Sequence, residues 1–370
     1  MKRIWLSSPA MSGKEMCFIK QAFEDNYVAP LGPNVDTFEN EICKYTGAEY
    51  AVAMNTGTAA IHMALRYLGV TNGDIVFCSS LTFAASCNPI IYEGGIPVFI
   101  DSEPESWNIS PKALEKAFQK YPNPKAVIVV HLYGQSADMD TIVDICSMYN
   151  VPIIEDAAES LGATYNSKQT GTIGMFGIYS FNGNKIITTS GGGMLICPDE
   201  ESKKKVTKWI TQSRDPARHY LHSELGFNYR LSNICAGIGL GQLSVLEERI
   251  QHKRDIYNTY KKHFSNISFI KMMPVCSYGK PNYWLSCMTV DGDCGVLPED
   301  IITRLDEHNI ESRPVWHPMH LQQFYEGYDF FAHSSDVSGD IFRRGLCLPS
   351  DVNMTREEQS RVCELISEMF

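Results

Sequence analysis

The sequence predicts an α/β fold: a mostly parallel sheet sandwiched by helices, followed by a smaller C-terminal α+β domain. Three observations predict it. Short apolar runs alternate with helical patterns through the first part of the chain, a strand–turn–strand segment at 177–196 carries a lone lysine, and the pattern changes after Leu231. Alternation of this kind implies parallel strands joined by helical crossovers.

Taken in order, an arm leads into a helix near 14–23 and a loop at 26–33. Val35, Phe38, Ile42 and Tyr45 share one face of a helix over 35–46. A buried strand at 50–54 runs through the turn Asn55-Thr56-Gly57-Thr58 into a helix at 59–67, closed by Gly69. Strands follow at 74–79 and 96–101, with 82–86 entering a helix between them. Ser110-Pro111 opens a helix at 112–119, proline being favoured in a first turn. Strands at 126–131 and 151–155 flank a helix at 138–148. The stretch 231–264 has no proline and three glycines, and reads as one long helix leading out of the large domain. Beyond it a strand at 283–290 mixes with amphipathic helices at 298–308 and 356–369. The domains expected are 1–245, arm plus large domain, and 246–370, the small one.

A formal net charge of −11 argues against nucleic-acid or membrane-surface partners, because no basic excess exists to release counterions. An anionic ligand would need local arginines or helix N-termini. The twelve cysteines include no CxxC pair, which fits reduced cytosolic thiols better than disulfides or zinc. The first nine residues are too poor in apolar side chains for a signal peptide, and no apolar run reaches membrane-spanning length. A cytoplasmic protein without a metal is expected.

Four features carry chemistry. Lys185 lies in Ser180-Phe181-Asn182-Gly183-Asn184-Lys185 among Tyr, Phe, Ile and Met. Lost hydration favours its free amine and suits a Schiff-base nucleophile, with Ser180 upstream able to offer a hydroxyl to an anion. The turn 55–60 has small residues that let amides at a helix N-terminus face an anion. Asp156, in Ile154-Glu155-Asp156-Ala157-Ala158-Glu159, ends a parallel strand where ligands bind in open sheets. A carboxylate there could keep a pyridinium nitrogen protonated, as pyridoxal phosphate requires of its electron sink. Phe83, at another strand end, could stack on a ring. Each also has a plain reading: a lysine with its ammonium in water, a helix cap, a cap or metal ligand lacking partners, a core phenylalanine.

All four in this order resemble the DegT/StrS family of pyridoxal-phosphate sugar aminotransferases, with the aspartate-aminotransferase (type I) fold. The resemblance runs end to end, through 26–33 with Phe38-Glu39, 55–60, 154–159, 180–185, Gly191-Gly192-Gly193, 226–233 and 312–320. Segments 27–32, 180–185 and 186–194 look closest to the branch that aminates UDP-2-acetamido-4-keto-6-deoxyglucose at C4, on the route to diacetylated bacillosamine. The resemblance implies that Lys185 holds pyridoxal 5'-phosphate and Asp156 pairs with its ring nitrogen. It also implies that Gly57, Thr58 and Ser180 hold the phosphate, that Phe83 stacks on the ring, and that Glu159 lies near the ring or its 3-hydroxyl. Asn228 would reach the phosphate of a second subunit, making a homodimer with shared sites. Arg230, Arg313 and His320 are candidates for the nucleotide sugar, or else ordinary surface or interface charges. L-glutamate is the expected amino donor. GDP-linked 4-keto and 3-keto sugars are alternative substrates, and a non-enzymatic regulatory protein of this fold is an alternative role. Dehydratase relatives replace the lysine with histidine, and here Lys185 is present.

Overall fold

The structure, a computed structural model, describes residues 2–370. Its centre is an eight-stranded sheet in the order Tyr50–Met54, Gly193–Cys197, Phe176–Ser180, Ile153–Asp156, Ala126–Val130, Ile75–Ser79, Ile96–Ile100 and Phe330–Phe331. Only Gly193–Cys197 runs against its neighbours; every other pairing across the rest of the sheet is parallel. The mostly parallel sheet is therefore present. Alternation along each strand puts Cys78, Ile128 and Ile154 on one face, against the helix Gly57–Tyr67. Phe77, Val127, Val129 and Ile153 face the other way, onto the helices Pro111–Lys120 and Met139–Met148. Burying each such side chain contributes roughly 1.5–3 kcal/mol, which locks the register and gathers the carboxyl ends of the parallel strands along one edge.

A four-stranded antiparallel sheet, Ile270–Met272, Ser286–Val290, Gly345–Leu348 and Arg313–Pro314, forms the second core with the helices Pro298–Glu307 and Arg356–Ser367. The two cores interlock. Ile4 of the arm is buried in the second one, bridged to Ile310, while Phe330–Phe331 returns to edge the large sheet. Asp101, ending the strand Ile96–Ile100, accepts from the amides of Val337 and Ser338, both at 2.9 Å, and so caps the helix Val337–Arg344.

Three sequence expectations need correction. The single helix over 231–264 is two, Asn233–Leu243 and Leu246–His263, broken where Val245 leaves the helical region at φ −121°, ψ 11°. Each half serves a different neighbour. A Cβ on Gly239 would come within 2.6 Å of the Phe38 ring, and one on Gly241 within 2.7 Å of the Glu15 amide, so the first half packs as a small-residue helix. The second half is charged and crosses toward the C-terminal core. The strand after Lys185 begins at Gly193, because 186–192 is held by scattered bonds: the Thr189 amide donates to the Phe181 carbonyl, the Phe181 amide to that of Gly192, and side chains take others. The Thr188 amide donates to Gln242 Oε1, and the Ser190 amide to Thr188 Oγ1. The strand predicted from 283 begins at Ser286, since Tyr283 sits at φ +56°.

Gly193 fixes the site's geometry. A Cβ there would lie 2.4 Å from the Thr56 carbonyl carbon and 2.5 Å from the Gly57 nitrogen. Only glycine allows this strand to start flush against the turn that opens the helix Gly57–Tyr67. Among the described residues, no helix is long and apolar enough to cross a membrane, and no group of three or more His, Cys, Asp or Glu could hold a metal ion.

Candidate active site

The carboxyl ends of the strands enclose a cavity of about 370 Å³. It gathers Gly57, Thr58, Phe83, Asp156, Glu159, Ser180 and Lys185 from four separate stretches of chain.

Its floor is Asp156, buried at the end of the strand Ile153–Asp156. Oδ2 accepts from the Ser86 hydroxyl at 2.6 Å and Oδ1 from the Ala158 amide at 3.1 Å. Ser86 spends its one proton on Asp156, so the Thr82 hydroxyl, 2.7 Å away, donates to Ser86. One residue earlier Glu155 points to the opposite face, as strand alternation demands. There it pairs with His131 at 2.8 Å, both side chains fully buried.

One wall is the first turn of the helix Gly57–Tyr67. The first amides of a helix have no intrahelical acceptor. Thr56 caps one of them, its Oγ1 accepting from Ala59, while its carbonyl takes the first helical bond, from Ala60. Gly57 and Thr58 line the cavity beside Ser180, and a Cβ on Gly57 would sit 3.4 Å from that of Ser180. Small residues here leave room for an anion at the positive end of the helix.

The opposite wall is aromatic. The Lys185 amine lies 3.8 Å from the centre of the Trp284 ring and 3.6 Å from Glu159 Oε1, with 12 % of the side chain exposed. The Trp284 indole N–H donates to the Asn184 carbonyl at 2.7 Å. Glu159 is buried; it accepts from the Tyr133 amide at 2.7 Å and the Trp316 indole N–H at 3.1 Å. Trp316 stacks on Tyr133 at 6.2 Å, and its ring centre is 5.2 Å from that of Phe83, which stands 54 % exposed. Phe83, Asp156 and the Lys185 amine thus line one cavity.

The other predicted residues lie outside this cavity. Asn228 is exposed, with its backbone carbonyl accepting from the Asn55 side chain at 3.3 Å. Arg230 pairs with Glu39 at 2.6 Å. Arg313 is exposed and pairs with Glu311 at 2.9 Å. His320 Nδ1 meets the Ser80 hydroxyl at 2.7 Å, and its ring stacks on Phe330 at 3.7 Å. Burial pushes its pKa down against the pull of Asp336, so a neutral ring ties 316–320 to the strand end at Ser80. The sequence reading missed Ser86, Tyr133 and Trp284, and took Trp316 only as part of a motif. A hydroxyl four residues after Thr82 is the one local signal that could have pointed to Ser86.

Residues 9–367 match the sequence profile of the DegT/DnrJ/EryC1/StrS aminotransferase family. Over its whole length the chain is 52% identical to EpsN of Bacillus subtilis (strain 168), covering 96% of that protein, whose assigned name is that of a pyridoxal phosphate-dependent aminotransferase. It is 35% identical to the GDP-perosamine synthase of Escherichia coli O157:H7, covering 100% of this chain and 99% of that one. The crystal structure of a DegT DnrJ EryC1 StrS aminotransferase from Brucella abortus superposes with a TM-score of 0.88 at 27% identity, over 96% of this chain and 95% of that one.

Glu159 gives the site a pH signature. Burial raises its carboxyl above the ordinary 4.5, and Asp156 adds to this, while Lys185, the Tyr133 amide and the Trp316 indole oppose it. The folded chain thus keeps a proton that the unfolded chain has lost. Stability from this group is complete below pH 4.5 and falls as pH rises toward the raised folded value. Glu159→Gln keeps an acceptor and removes the titration. The decline of apoprotein Tm with rising pH above 4.5 should be shallower in the variant than in the parent; parallel curves would contradict the assignment.

Proposed function

We propose a reaction for a chain that belongs to the DegT/DnrJ/EryC1/StrS family and is a pyridoxal phosphate-dependent sugar aminotransferase. It moves an amino group from L-glutamate to C4 of a UDP-linked 4-keto-6-deoxy sugar of the 2-acetamido-2,6-dideoxy type, for surface glycan or glycoprotein biosynthesis. The observation that carries amino transfer is the Lys185 amine, held 3.6 Å from Glu159 in a cavity whose floor is a carboxylate. Segments 27–32, 180–185 and 186–194 support the choice of sugar.

Pyridoxal phosphate, when bound, supplies the electron sink for both half-reactions. The chain supplies the rest. Asp156, oriented by hydrogen bonds from Ser86 and the Ala158 amide, would hold a proton on the ring nitrogen. The free first-turn amides and the Ser180 hydroxyl hold the phosphate. Phe83 would stack on the ring, and Trp316, packed against Phe83, would limit water there. Glu159, 3.6 Å from the Lys185 amine, would help to orient it. Lys185, released from the cofactor, takes a proton from the donor's Cα and returns one on the sugar carbon, as a positioned general base and acid.

A second reading, a GDP-linked 4-keto sugar, is favoured by the 35% identity with a GDP-perosamine synthase over the whole chain. Incubation with glutamate and a panel of UDP-, GDP- and dTDP-linked keto sugars separates them. Amination of the UDP-linked 4-keto sugar at C4 is expected. Turnover of GDP-linked substrate alone would establish the second reading, and amination of 3-keto sugars alone would refute both.

The assembly we infer is a homodimer with shared sites. Asn228 is exposed beside Asn55, and Tyr27, Val28 and Leu31 stand exposed next to it, tied to the same region because Asn233 donates to the carbonyl of Tyr27. Such a loop completes a neighbour's site across a twofold axis. Mixing Lys185→Ala with Asn228→Ala subunits should restore one intact site per heterodimer, roughly a quarter of parental turnover for random exchange. An impaired Asn228→Ala parent with no gain on mixing would contradict the trans role.

A further inference from the structure

Lys185 sits in a connection with no strand partner. Its own amide donates to Asn182, 3.0 Å away, and its position otherwise depends on what grips the peptide before it. The Asn184 carbonyl accepts two hydrogen bonds, from the Trp284 indole at 2.7 Å and from the Ser7 hydroxyl at 3.0 Å. Those donors come from opposite ends of the chain. Both are held by one side chain, Lys253 of the helix Leu246–His263.

Lys253 is 2 % exposed. Its Nζ donates to the Ser350 carbonyl at 2.8 Å, the Trp284 carbonyl at 2.9 Å and Ser7 Oγ at 3.3 Å. These three acceptors match the three N–H bonds of an ammonium. Burial pushes the Lys253 pKa down to about 7, with Asp351 acting against it and Arg249 with it. Ser7 has a single proton and gives it to Asn184, so the donation runs from Lys253 through Ser7 to the carbonyl. The backbone on either side of Ser7 is pinned, the Leu6 amide to Glu311 at 3.1 Å and the Ser8 amide to Asp351 at 2.8 Å. The serine hydroxyl therefore has little freedom to follow Asn184 if the lysine is lost.

We propose that Lys253 is a positioning residue for the Lys185 amine, acting through Ser7 and Trp284 on the Asn184 carbonyl. The proposal rests on Lys185 being the reacting amine. Without Lys253 the 182–185 turn loosens, and the amine leaves the Trp284 ring and Glu159, the two groups that now hold and shield it.

A purely structural lysine would alter Tm and leave the chemistry of Lys185 unchanged, so the test reads that chemistry. Apoprotein is treated with limiting acetic anhydride, and acetylation of Lys185 is followed by peptide mass spectrometry. Lys253→Met and Ser7→Ala should each raise its rate about threefold or more, with the double variant no faster than the faster single, as expected of residues in one chain of contacts. In the holoenzyme, the pH midpoint of the cofactor's visible band should shift by about half a unit or more in each variant. Unchanged rates and midpoints, or additive effects, would overturn the proposal. Should Lys253→Met fail to fold, Ser7→Ala decides alone, since it removes only a half-buried hydroxyl. Should the parent show no titrating band, the role of Lys185 in cofactor binding fails, while the acetylation rates still test the positioning.

Discussion

The constraint on which this structure depends is that the Lys185 amine, the group the proposed reaction uses, lies on irregular backbone. Strands hold their own carbonyls and amides through a ladder, and the 181–192 connection has none. Its placement is taken over by groups distant in sequence: Trp284 and Ser7 on the Asn184 carbonyl, Gln242 on the Thr188 amide, and Gly193 flush against the Thr56–Gly57 peptide. Each bond of this kind contributes only about 1 kcal/mol net, so no single one fixes the amine. Together they make the site conditional on the arm and the C-terminal core being docked. Asp101 capping the helix Val337–Arg344 and His320 on Ser80 tie the C-terminal segments to the same sheet edge, where Trp316 roofs the cavity.

Electrostatics reinforce this arrangement. A chain of net charge −11 repels anions at long range, yet the cavity must hold a phosphate. Two carboxylates and one amine meet within it, and the balance depends on placement. Asp156 is surrounded by donors at the floor, while Glu159 is desolvated against the Lys185 amine. The free helix amides at Gly57 and Thr58 stand on the other wall, adding positive potential without a side-chain charge.

The sequence made the layered part of the fold legible, because there local pattern and tertiary burial agree. Strands such as Tyr50–Met54, Ile96–Ile100 and Ala126–Val130 are apolar runs between turn signals, and the structure keeps them nearly to the residue. The failures share a cause. The helix break at Val245, the late start of the strand at Gly193 and the edge strand Phe330–Phe331 are all decided by partners far along the chain. The same holds at the site. Lys185, Asp156 and Gly57 announce themselves through local chemistry, whereas Trp284 and Ser86 are ordinary residues until the fold brings them to Asn184 and Asp156. Arg230 shows the converse, since a guanidinium that reads as a ligand for an anion is paired in this chain with Glu39.

The central claim is that the amine of Lys185, and no other, carries the cofactor. The most direct measurement is reduction of the holoprotein with borohydride, proteolysis and mass mapping of every lysine-containing peptide. The account predicts that the yellow colour bleaches and that one reduced cofactor adduct appears, on the peptide containing Lys185. An adduct on another lysine, Lys253 included, or a holoprotein in which no lysine is modified, would contradict it.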